Sequence, residues 1–168
     1  MPHPISALGA AHTIISLVPF VAGVYCFVRY RKIDSDLRAA RVYLFGLTLT
    51  VFTSFGLSST GGVNAGHVLG ILALLSVCGA IYAHRAPRLS PDQPYLSQFG
   101  FTFSFFLLMV PGINETLTRL PVDHPLAEGP TSPVVRGALA AWLIVFVAGS
   151  LLQGVWTRLQ RKSPSSCL

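Results

Sequence analysis

The amino-acid sequence predicts an all-α protein, a polytopic transmembrane helix bundle of five spans, with four as the alternative count. Composition is the first reason. Of 168 residues, 52% are hydrophobic and only 11% are charged, and the mean hydropathy is +0.61. A soluble domain carries about 25% charged residues, so most of this surface is not built to face water. Tract length is the second reason. Apolar runs recur that approach the ~20 residues a helix needs to cross the hydrocarbon core. The third reason is that the basic residues cluster in alternate linkers. The same clustering argues against nucleic acid as the partner of a chain with net charge +6, because no polar face collects the cations. The expected partner is the lipid bilayer, with a membrane-protein partner or a second copy left open.

The first span covers 5–28. It lacks a basic leader, is too long for a signal-peptide core and runs into Arg29, Arg31 and Lys32 without a cleavage site, so it reads as retained. The second covers 42–57, between Arg41 and the polar stretch that begins at Ser58. The third covers 65–83 and stops at His84 and Arg85. Within it, Gly66 and Gly70 form a small-xxx-small pair that permits close helix contact. The fourth covers 97–115 and is the weakest, because its apolar core is short and Pro111 and Gly112 follow at once. A spanning helix tolerates proline where neighbours repair the lost hydrogen bond. Pro111 is expected to kink the helix and turn Asn114 and Glu115 inward. The fifth covers 134–156 and is closed by Arg158, Arg161 and Lys162, with Trp156 as an interfacial anchor. A proline-rich outer loop at 116–133 and a tail at 157–168 complete a single transmembrane domain.

The linkers set an orientation. Ten basic residues (Arg29, Arg31, Lys32, Arg38, Arg41, Arg85, Arg88, Arg158, Arg161 and Lys162) fall on one side, and only Arg119 and Arg136 on the other. The positive-inside rule makes the first side cytoplasmic. The amino terminus is then outside and the carboxyl terminus inside, in a cell inner (plasma) membrane, which requires an odd number of spans.

Cys26 and Cys78 lie in apolar tracts and read as buried small hydrophobes, Cys167 is in the tail, and no zinc or redox spacing joins them. His84 reads as interfacial, and His3 and His124 as solvated. No complete catalytic motif is present, so the sequence points to an accessory or binding role and not to a reaction.

One polar layer stands out. His12 lies 17 residues from Arg29, His67 18 from Arg85, Ser58 17 from Arg41, and Glu115 18 from Ser97, with Asn114 beside it. At about 1.5 Å per residue these side chains share one level near the outer edge of the hydrocarbon. Thr50, Ser54 and Ser58 continue the layer along one face of the second span. Such residues are costly in a span and usually face the interior. The plainest reading is helix-gluing polar contacts. Three sharper ones use the same residues. A b-type haem takes His12 and His67 as axial ligands, with Arg119 and Arg136 on the correct side for propionates. A zinc or copper site takes His12, His67 and Glu115. A quinone pocket takes hydrogen bonds from histidine, Asn114 or serine. All three expect His12 and His67 to face each other across the bundle interior.

The order of these features also resembles small multi-pass bacterial inner-membrane proteins with no assigned activity. The resemblance rests on His12-Thr13 in the first span, on His67-Val68-Leu69-Gly70-Ile71 opening the third, and on the polar break and proline-rich loop at 114–133. It covers most of the chain, implies the topology and a bacterial source, and implies no reaction.

Overall fold

A computed structural model of the protein describes residues 7–57, 64–86, 92–121 and 124–162. Among them are five α-helices: α1 (Ala7–Tyr30), α2 (Arg38–Phe55), α3 (Ala65–Arg85), α4 (Gln93–Arg119) and α5 (Pro133–Lys162). Large apolar side chains face outward on every one of them, including Val28, Phe45, Leu75, Phe99 and Leu152. Apolar surface on all sides of a bundle is what lipid contact requires and water does not tolerate. The chain is therefore an all-α bundle fit for a bilayer.

Four helices, α1, α3, α4 and α5, are long and apolar enough to cross a membrane. The second helix is the exception by composition. Its 18 residues rise only ~27 Å, and Arg38 and Arg41 occupy its first turn. Both arginine side chains are exposed, which lets the cations leave the apolar zone along their own stems.

Neighbouring helices run antiparallel. Pairing residues between α1 and α2 add to a near-constant number, as in His12 with Thr53 and Pro19 with Gly46. The α1–α2 hairpin and the α3–α4 hairpin are each closely packed, α2 touches α3, and α4 touches α1 along a shorter seam. The last helix lies outside this ring, against α4. Gly46 lets α1 and α2 approach at the Pro19 step: a Cβ there would sit 2.9 Å from the proline Cδ. Gly100 does the same for α3 and α4, where a Cβ would sit 2.9 Å from that of Ala80.

The ring closes on Tyr43, which is fully buried and bonds Ser104 Oγ at 2.7 Å. Phe105 stacks edge-on to Phe27 at 5.2 Å and to Trp142 at 6.1 Å, joining α1, α4 and α5. Trp142 donates its indole N–H to the Phe106 carbonyl. Polar bridges hold α5 lower down: Thr102 donates to Gln153 Oε1 and Thr157 to Gln98 Oε1, each at 2.7 Å. Gln153 also donates to the carbonyl of Arg31, which ends α1 in the left-handed region at a φ of 60°. The Arg31 guanidinium lies 4.7 Å over the Trp156 ring.

Several elements differ from the sequence reading. The fourth helix is longer than the expected span, running from Gln93 to Arg119 with Pro111 inside it. Helices run past the polar residues taken as their ends, since arginine and lysine are good helix formers and need only their side chains in water. Cys26 is buried as expected, but Cys78 faces outward, which costs a thiol little in lipid. The loop between α4 and α5 folds back on α4: the Ala127 N–H donates to the Leu117 carbonyl, and Ala127 is buried. Ser132 then caps α5, with Pro133 as its first residue.

Candidate functional site

The fold makes two polar ends. The end carrying the chain from Arg31 to Leu37 and the last turn of α3 is the basic end. The other holds His12 and His67.

At that other end, both histidines bond to α2. His12, half-buried on α1, places Nδ1 2.9 Å from Thr53 Oγ1. The Thr53 hydroxyl already donates to the Leu49 and Thr50 carbonyls, so it accepts from His12 Nδ1–H. His12 Nε2 makes no hydrogen bond among the described residues. His67 is 2% exposed and uses both nitrogens. Its Nδ1 accepts from the Asn64 N–H at 3.1 Å, and its Nε2–H donates to the Ser54 carbonyl at 2.9 Å. Asn64 Oδ1 accepts from the His67 N–H in return, so the pair is a reciprocal cap on α3. The imidazole also stacks on Phe55 at 4.7 Å.

His12 and His67 thus grip adjacent residues of α2 from α1 and α3, with α2 between those helices, and do not face each other across an open interior. Ser54 turns its hydroxyl back to the Val51 carbonyl. Ser58 lies outside the described residues. Glu115 is near enough to His12 to act on it electrostatically, but its own ion pair is with Arg119 one turn along α4. The carboxamide oxygen of Asn114 and the hydroxyl of Thr50 are buried without a partner among the described residues. Arg136 is exposed at the start of α5.

The basic end holds the constellation that sequence reasoning missed. His84, on the last turn of α3, places Nε2 3.0 Å from Asp36 Oδ2 and 4.0 Å from Asp34 Oδ1. One ligand-capable atom from each of the three lies within 4.8 Å of the others. Lys32 Nζ pairs with Asp34 Oδ2 at 2.8 Å, and the Asp36 N–H donates to Asp34 Oδ1. Burial works against the charged form of Asp34, but the Lys32 and Asp36 hydrogen bonds and the His84 ring outweigh it and hold its carboxyl below the usual carboxylate range.

Behind this group is a cavity of about 220 Å³ walled by Lys32, Asp34, His84, Gln93, Ser97 and Gln98, among others. Gln93 shapes its rim by donating from Nε2 to the carbonyls of Ala83 and Ala86, the two that end α3. Ser97 is 4% exposed, and its hydroxyl has no hydrogen bond among the described residues. The arrangement can hold a small polar or ionic ligand: two carboxylates, an imidazole and an ammonium at the mouth, and a free hydroxyl within. Asp34, Asp36 and His84 give no motif in sequence, since 48 residues separate Asp36 from His84.

The fold and this end together define a polytopic α-helical membrane protein with a charged cavity at one face. No family model, curated protein or solved structure matches the chain.

Proposed function

We propose that the chain is a five-span membrane protein, with its amino terminus outside and its carboxyl terminus in the cytoplasm, and that it works as a binding protein through the cavity at its basic end. One observation carries the reading. Lys32 and Asp34 from the loop after α1 and His84 from the end of α3, far apart in sequence, line one cavity together with the largely buried Ser97, and Asp36 bonds His84 at its edge. A cavity lined by charged and polar side chains at one end of an apolar bundle favours a polar occupant. Antiparallel packing of α2 along its whole length supports its being a span, and the basic residues at this end support a cytoplasmic location.

The test is side-specific labelling. In a background of Cys78→Ala and Cys167→Ser, Ser97→Cys should react with an impermeant thiol reagent in inverted vesicles and stay unlabelled in right-side-out ones. Labelling from neither side removes the cavity reading, and labelling only from outside reverses the orientation.

A second reading keeps the opposite layer as a site for haem b, zinc, copper or a quinone. Its support is His12 Nε2, within electrostatic reach of Glu115, and the Asn114 oxygen, neither of which has a hydrogen-bond partner among the described residues. A ligand held by His67 as well has to displace one of the bonds that ring makes. A sharp reduced-minus-oxidised absorption band, or stoichiometric metal, lost in His12→Ala and His67→Ala would favour this layer. A colourless, metal-free protein would remove the haem and metal forms of it.

A further inference from the structure

We propose that Asp34, Asp36 and His84 form a site for one divalent transition-metal ion at the mouth of the basic-end cavity. The proposal rests on the reading of that cavity as a binding site and names the class of its ligand. Three ligands on an ion at ~2.0–2.2 Å stand ~3.0–3.5 Å apart. His84 Nε2 is already 3.0 Å from Asp36 Oδ2 and 4.0 Å from Asp34 Oδ1, and all three atoms fall within 4.8 Å. Closing the set needs shifts of about 1 Å, and the Asp36 side chain is 79% exposed and free to make them. Asp34 is held in place by the Asp36 N–H, so the most buried ligand is also the most pre-oriented.

The donor set narrows the ion. Two carboxylate oxygens and one imidazole nitrogen suit Mn²⁺, Fe²⁺, Co²⁺ or Zn²⁺. An all-oxygen shell would point to Mg²⁺ or Ca²⁺, and soft sulfur ligands to Cu⁺. Three protein ligands leave coordination positions for water, and the cavity behind supplies the room. Ser97, a largely buried residue of the cavity wall, offers its hydroxyl on that side. It would hydrogen-bond a metal-held water or anion and not the ion itself.

Lys32 has a defined place in this scheme. Its ammonium, 2.8 Å from Asp34 Oδ2, is a tethered cation in the position a metal's charge would neutralise. Metal entry displaces it, and His84 binds as neutral imidazole, with its one proton on Nδ1 and the Nε2 lone pair on the ion. The ion would also join the loop of the α1–α2 hairpin to the end of the α3–α4 hairpin.

The test uses the full-length protein, purified in detergent without a histidine tag and stripped with chelator, then titrated with Co²⁺ or Zn²⁺ alone. One ion should bind per chain, with a Co²⁺ visible spectrum indicating nitrogen and oxygen ligands. His84→Gln and Asp36→Asn should each weaken binding by no less than the ~10–100-fold that follows loss of a group behind a ligand. Ser97→Ala should fall at about the lower end of that range. Lys32→Gln should tighten binding, an outcome that damage to the fold would not produce. Binding unchanged in His84→Gln and Asp36→Asn, or no stoichiometric binding while Ser97→Cys is labelled from the basic side, overturns the metal and leaves the cavity reading intact. An unlabelled Ser97→Cys overturns both.

Discussion

Replacing His67 by alanine separates a structural clamp from a ligand. The substitution removes the acceptor for the Asn64 N–H, the donor to the Ser54 carbonyl and the ring stacked on Phe55. The cap is worth about 1 kcal/mol, the interhelical bond ~0.6 with a ceiling of ~1.7, and the ring contact ~0.5–1.5. Together they make His67→Ala cost about 2–4 kcal/mol of bundle stability, while the Ser54 carbonyl keeps its bond from the Leu57 N–H. Asn64→Ala removes only the reciprocal cap and should cost about 1 kcal/mol. The double variant should lose less than the two single losses combined, because each residue serves the other's backbone N–H. The assay is reversible unfolding in mixed micelles, followed by loss of helical circular dichroism. A His67→Ala protein within about 0.5 kcal/mol of the parent would refute the clamp.

Other substitutions probe the remaining contacts. Gly100→Ala places a methyl 2.9 Å from the Ala80 Cβ and 3.0 Å from the Ser76 carbonyl oxygen, and should cost about 1–3 kcal/mol in the same assay. Gly112→Ala meets nothing within 4 Å and should be neutral or stabilising by up to ~1 kcal/mol, which makes it the control. Gln153→Leu removes the acceptor of Thr102 and the donor to Arg31, so it should cost about 1–2 kcal/mol and raise proteolysis near α5 before the rest of the bundle opens. Tyr43→Phe leaves Ser104 its bond to the Phe101 carbonyl and should cost no more than ~1.7 kcal/mol.

The all-helical bundle was legible in the sequence because hydropathy and tract length depend only on composition along the chain. Depth was legible for the same reason: each helical residue adds a fixed rise, so His12 and His67 could be placed at one level by counting. What counting cannot supply is the direction a side chain takes around its axis, which the neighbouring helix decides. Both rings turned out to address α2, through Thr53 and Ser54, two residues adjacent in sequence. Helix ends were read short for a related reason. Arg38 and Arg41 look like linker, yet they begin α2, because backbone hydrogen bonding does not stop where a side chain becomes charged. The Asp34, Asp36 and His84 group was invisible for want of any local spacing. It exists only because the chain after α1 returns beneath the end of α3.

The docking of α5 on Arg31 has a consequence for how the protein is made. The helix that Arg31 terminates, α1, leaves the ribosome before α5, which carries Gln153 and Trp156. Until then the Arg31 carbonyl and guanidinium have only water and lipid headgroups for company. The end of α1 is thus finished by α5, and a nascent chain halted before Gln153 carries an open end where α1 stops. Quality control that senses unsatisfied backbone near the headgroups would find incomplete copies there, at the end of α1 and not at the growing tip.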